Sequence, residues 1–157
     1  SVHKLFQIDK SLGLSNLLVK SNDLRTVLKA THIPNVYTIP CGPIPPNPSE
    51  LLGSQAMAEN LKVAKEEFEW ILIDSPPLLG VTDARILSRL VDGIIFVLNG
   101  NKANREVSLK ALSFLSDVND KILGVVINDV DFSKDKYYYH YYYQYYSHYG
   151  DKDTRET

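Results

Sequence analysis

The chain has 157 residues, 44% of them hydrophobic and 23% charged, with a formal net charge of −2. That is enough for one domain with its own core, and the balance is ordinary for a water-soluble globular protein. It excludes a disulfide framework, since Cys41 is the only cysteine, and a bilayer-spanning helix, since no apolar run approaches the roughly 20 residues required. It also argues against nucleic acid as the main partner, because no block of Lys and Arg forms a phosphate-binding footprint.

Two apolar groupings open the chain: Leu12, Leu14, Leu17 and Leu18, then Leu24, Val27 and Leu28. They predict two short helices. Val36-Tyr37-Thr38-Ile39 is a candidate strand. Cys41-Gly42-Pro43-Ile44-Pro45-Pro46 follows as a proline-stiffened connection, with a Pro-x-x-Pro peptide ligand as its other reading. A long helix is predicted over 48–68. Asn47 suits its cap, Pro48 its first position, and Glu50 completes a capping box; Met57, Leu61, Ala64 and Phe68 share one face. Ile71-Leu72-Ile73 predicts a strand, as do the runs 94–98 and 122–127. Each run is rich in β-branched residues and none alternates with polar ones, which predicts burial on both faces. Helices are predicted between them, over 82–91 and over 105–115, where Val107, Ala111, Phe114 and Leu115 repeat at helical spacing.

Strands alternating with helices predict an α/β fold, a mainly parallel sheet with helices on both faces. Aliphatic patterning stops after Val130. The expected organisation is a globular part over 1–131 and a mobile, tyrosine-rich tail over 132–157. Within 137–149, nine of thirteen residues are tyrosine: Tyr137, Tyr138, Tyr139, Tyr141, Tyr142, Tyr143, Tyr145, Tyr146 and Tyr149. Such a run reads either as a multi-site phosphoacceptor or as an aromatic segment that self-associates.

The strongest chemical motif is Trp70-Ile71-Leu72-Ile73-Asp74-Ser75-Pro76-Pro77. An Asp at the carboxyl end of an apolar strand stands where open α/β sheets bind ligands. There it can hold Mg²⁺ beside nucleotide phosphates, in the manner of a Walker B Asp, or cap the next loop. Asp83, in Val81-Thr82-Asp83-Ala84, is either a second acidic group near that metal or a residue stabilising a helix N-terminus. Asn128 closes Gly124-Val125-Val126-Ile127-Asn128, where its amide can pair with an adenine edge or cap a turn. His3, His32, His140 and His148 show no metal-ligand spacing. No G-x-x-x-x-G-K-[ST] loop occurs in the 157 residues. Without one, nucleotide phosphates lack their usual backbone cradle.

Four features, in order, resemble one known family. They are Cys41-Gly42-Pro43-Ile44-Pro45-Pro46-Asn47-Pro48-Ser49-Glu50-Leu51-Leu52, then 71–77 with 81–84, then 124–128, then the tyrosine cluster. Together they resemble the C-terminal part of the catalytic domain of the bacterial tyrosine kinases of capsule and exopolysaccharide biosynthesis. The resemblance implies a P-loop NTPase-like fold that uses ATP and Mg²⁺. It implies Asp74 on the metal, Asp74 and Asp83 as catalytic residues, and Ser75 and Asn128 as nucleotide contacts. The nine tail tyrosines would be phosphorylated in trans between subunits. It further implies a ring-type homo-oligomer, a membrane-bound polysaccharide co-polymerase or activator segment, fused or separate, and an opposing tyrosine phosphatase. The place of action would be the cytoplasmic face of the cell membrane, reached through an activator segment outside this chain. The family's phosphate loop and a second Asp motif precede the matched features, so the chain is expected to be a fragment of such a kinase. Two other readings stand beside this one: a partition-type P-loop ATPase without kinase activity, and a non-enzymatic phosphoacceptor or interaction fragment.

Overall fold

The computed structural model describes residues 2–115, 118 and 121–131. The tail, with all nine candidate acceptor tyrosines, lies outside the described residues. Seven helices and four strands follow one another among them: α1 Val2–Leu5, α2 Leu14–Leu18, α3 Leu24–Val27, β1 Lys29–Ala30, β2 Tyr37–Thr38, α4 Pro48–Leu52, α5 Gln55–Glu67, α6 Asp83–Ser88, β3 Ile94–Asn99, α7 Arg105–Ser113 and β4 Ile122–Asn128. They fall into two compact units. One holds residues 2–92 with Phe114, Leu115 and Val118; the other holds 93–113 and 121–131. No described helix is long and apolar enough to cross a membrane.

In the first unit, α2 and α3 form where the leucine groupings predict them. Asp23 caps α3, its carboxylate accepting from the Thr26 N–H at 2.8 Å. Leu17, Leu24 and fully buried Val27 make one apolar cluster, lined by Leu14, Ile39 and Ala64. Leu18, Ala56, Met57 and Leu87 make another, lined by Leu51, Leu52, Ile73 and Leu90. The short strand β2 pairs antiparallel with β1, which the sequence pattern missed; Thr38 faces Lys29 and Tyr37 faces Ala30. Two residues per strand carry too little periodicity to be read.

The single helix expected over 48–68 is two. Gly53 ends α4, and Ser54 starts α5 by accepting from the Met57 N–H at 3.3 Å. A Gly that stops one helix and a Ser that caps the next outweigh a continuous apolar stripe. Asn47 stands at the cap of α4 with Pro48 behind it, as expected, but its side chain caps nothing. Its amide donates instead to the Glu50 carboxylate at 2.6 Å.

The strand expected at Ile71-Leu72-Ile73 has no ladder partner among the described residues. Its burial alternates: Ile71 and Ile73 are half-buried, while Trp70 and Leu72 are 80% and 88% exposed. Alternation with period two is the signature of an extended segment with one covered face. A continuous apolar run therefore does not guarantee two buried faces. Burial of the second face needs a neighbour that the described residues do not supply.

In the second unit, β3 and β4 pair in parallel, joined through α7, so the βαβ expectation holds here. Burial on both faces does not. Ile95 and Val97 on β3, and Leu123 and Ile127 on β4, are each more than half exposed. A ladder of two strands leaves each strand one unpaired edge and gives it little cover.

Candidate functional site

Ile73 anchors the segment that carries Asp74. It packs against the Leu18–Met57–Leu87 cluster, and the next residue points its carboxylate outward. Asp74 is exposed, as are Ser75, Pro76 and Pro77 after it. The Ser75 hydroxyl donates to the Pro76 carbonyl at 3.3 Å, a bond within its own turn. Gly80 takes φ +103°, a backbone conformation open to glycine and costly for other residues. The loop then enters α6 at Thr82 and Asp83.

Asp83 occupies the first position of α6, the helix-start reading of the sequence. Its Oδ1 accepts a hydrogen bond from the Ser49 hydroxyl at 2.6 Å, and the Thr82 hydroxyl donates to Ser49 Oγ at 3.1 Å. The starts of α4 and α6 are thereby tied together across more than thirty residues of sequence. The signal that could have found this clamp is the short polar residue just inside each helix, Ser49 after Pro48 and Asp83 after Thr82. Its partner could not be read from sequence. No hydrogen bond joins Asp74 and Asp83 among the described residues, and no group of three or more His, Cys, Asp or Glu side chains there could hold a metal ion.

Asn128 closes β4 in the second unit, opposite Asn99, which closes β3. The two asparagines differ in what their amides do. Asn99 structures the loop: its Oδ1 accepts from the backbone N–H groups of Asn101 and Lys102, and its Nδ2 donates to Asp129. Asn104 starts α7 in the same way, accepting from Glu106 and Val107. Asn128 is exposed, and its amide makes no hydrogen bond among the described residues. The turn-capping role that the sequence left open for Asn128 thus belongs to Asn99. The Asn128 amide, one donor group and one acceptor, is free to meet a ligand edge.

Each unit offers its own exposed group: the Asp74 carboxylate in the first and the Asn128 carboxamide in the second. A single exposed carboxylate matches the way Mg²⁺ is commonly held, by one or two carboxylates together with waters and phosphate oxygens. An unengaged carboxamide at the carboxyl end of a parallel pair matches a base edge. No G-x-x-x-x-G-K-[ST] phosphate loop occurs in the sequence.

No protein-family model matches the chain. Among curated proteins, it is 33% identical over 153 residues to the tyrosine-protein kinase YwqD of Bacillus subtilis, a match covering 98% of this chain and 61% of the relative. It is 33% identical over 125 residues to the tyrosine-protein kinase CpsD of Streptococcus agalactiae, covering 80% of this chain and 54% of the relative. Among solved structures, the chimerical protein CapA2B2 superposes with a TM-score of 0.76 at 32% identity, covering 82% of this chain and 57% of that one. The chain thus spans less than two thirds of the length of the relatives it matches.

Proposed function

Since the chain belongs with the bacterial tyrosine kinases in sequence and fold, we propose that it forms part of an ATP-dependent protein-tyrosine autokinase regulating capsule or exopolysaccharide synthesis and export. The observation that carries this reading is the alignment of 98% of the chain with a tyrosine-protein kinase, in a chain that itself carries nine tyrosines within 137–149.

Phosphoryl transfer asks a protein mainly for positioning and charge neutralisation. Asp74 would hold Mg²⁺ directly or through a water; the ion, when bound, neutralises charge on the phosphate oxygens. Ser75 lies beside it on the same loop. Asn128 would meet the adenine edge. Asp83, tied to Ser49, would act by fixing where the Asp74 loop ends. The phosphate cradle would come from sequence outside these 157 residues, so the chain by itself would be the metal-side and base-side portion of the enzyme. The acceptors would be Tyr137, Tyr138, Tyr139, Tyr141, Tyr142, Tyr143, Tyr145, Tyr146 and Tyr149. From Asp131 to Tyr149 the chain can extend roughly 60 Å, enough to reach a neighbouring subunit. The same reading places the enzyme in a ring-type homo-oligomer at the inner face of the membrane, with a polysaccharide co-polymerase or activator segment and an opposing phosphatase.

The test is to express the complete reading frame, add ATP and Mg²⁺, and map phosphotyrosine by mass spectrometry. Phosphate within 137–149 is expected, with Asp74→Asn lowering its rate about a hundredfold or more. ATP hydrolysis without phosphotyrosine would favour a partition-type ATPase. Phosphotyrosine only after addition of a separate kinase would favour a non-enzymatic acceptor.

A further inference from the structure

The two strand ends of the second unit interlock beyond their ladder. Asn99 Nδ2 donates to Asp129 Oδ2 at 2.9 Å. The Gly100 N–H donates to the Asn128 carbonyl at 2.6 Å. A Cβ at Gly100 would lie 3.0 Å from Val130 Cγ2, 3.1 Å from Ile127 Cγ2 and 3.3 Å from the Asn128 carbonyl oxygen, so the two strand ends pack closely at this glycine. Asp129 takes φ +57°, in the left-handed region that Asp tolerates better than most residues. Asn128 is thus held from two sides: its own carbonyl is bonded to Gly100, and the residue after it is clasped by Asn99.

That arrangement matters for what the Asn128 amide can discriminate. A carboxamide pairs two-pronged with adenine, accepting from N6–H and donating to N7; guanine offers two acceptors at the same edge. A carboxamide on a loose backbone reorients, and a single N–H bond to a guanine acceptor then competes with a poorly aligned pair to adenine. Selection requires the amide to be held within about 0.5 Å of its productive position.

We propose that Asn99, Gly100 and Asp129 form a positioning element that sets the base preference of the nucleotide site through Asn128. This rests on Asn128 being the base contact. Asn99 and Asp129 are positioning residues that touch no nucleotide themselves. Their removal costs selectivity between bases, which loss of general stability would not change.

The test is competition binding to the protein expressed from its complete reading frame. A fluorescent adenine nucleotide is displaced with ADP and with GDP, and the ratio of the two affinities is read. This readout does not depend on kinase activity. The unaltered protein is expected to prefer ADP, and Asn128→Ala to lower the preference roughly tenfold. Asn99→Ala and Asp129→Ala are expected to lower it severalfold. Asp129→Asn keeps an acceptor for Asn99 and tolerates the same backbone, so it is expected to retain most of the preference. A protein that binds ADP and GDP alike overturns the proposal. An unchanged ratio in Asn128→Ala removes the base-contact reading and the proposal with it. A reduced ratio in Asn128→Ala together with unchanged ratios in Asn99→Ala and Asp129→Ala overturns the positioning role alone.

Discussion

Asp23 shows how much one side chain can do for a four-residue helix. It accepts from both the hydroxyl and the backbone N–H of Thr26, at 2.5 and 2.8 Å. The hydroxyl first, and the N–H with it, hold the Asp23 carboxyl below the ordinary carboxylate range. A carboxyl lowered on folding adds stability above its unfolded value; that stability is lost as pH falls through the folded value. The cap on α3 should therefore weaken only below about pH 4. Asn is also a good cap but does not titrate. Melting temperature followed from pH 7 down to 3 should fall less steeply in Asp23→Asn than in the parent, and identical slopes would refute the assignment. The leucine grouping alone placed this helix in the sequence and did not single out its cap. Asn47, which the sequence did single out, caps nothing with its side chain. Glu50, placed to complete a capping box, draws the Asn47 amide to itself.

At the scale of elements, the start of α2 is decided by a crossing of two loops. Leu14 and Ser15 donate their N–H groups to the carbonyls of Pro40 and Cys41, and the Asn16 side chain accepts from the Gly13 N–H. Gly13 lies against this crossing: a Cβ there would sit 2.1 Å from the Pro40 carbonyl oxygen and 2.4 Å from the Gly42 nitrogen. Both are backbone atoms and cannot swing aside. Gly13→Ala should lower stability by about 1–3 kcal/mol or more, as overpacking does. Gly124→Ala, where nothing lies within 4 Å, is the matched control and should show no such loss. Equal melting temperatures for the two variants would sink the steric account. The proline-stiffened connection over 41–46 was legible in sequence; its clamp onto residue 13 was not, because nothing in a sequence pairs two distant glycines. The Ser49–Asp83 bond is unreadable for the same reason.

For the whole molecule, charge is the lever. The chain carries a formal net charge of only −2, and each phosphotyrosine adds about −1.5 to −2 near neutral pH. Several phosphates on one short segment would repel each other and their counterparts on neighbouring subunits. Under the proposed function, phosphorylation at 137–149 should drive an assembled kinase toward smaller species, and phosphatase treatment should reverse it. Light scattering on the complete protein before and after dephosphorylation measures this, and an unchanged mass would rule it out. The sequence by itself determined the α/β class, the parallel pairing of the last two strands, the tyrosine run and the kinship with tyrosine kinases. These rest on residue identity and local period, which a chain carries wherever it goes. Only the tertiary structure decided that Asp74 follows a segment with one covered face, that Ser49 holds Asp83, and that Asn99 takes the turn and leaves the Asn128 amide unengaged. Each of those depends on which groups meet across tens of residues, and hydrogen bonds and burial are properties of pairs in space, not of positions along a chain.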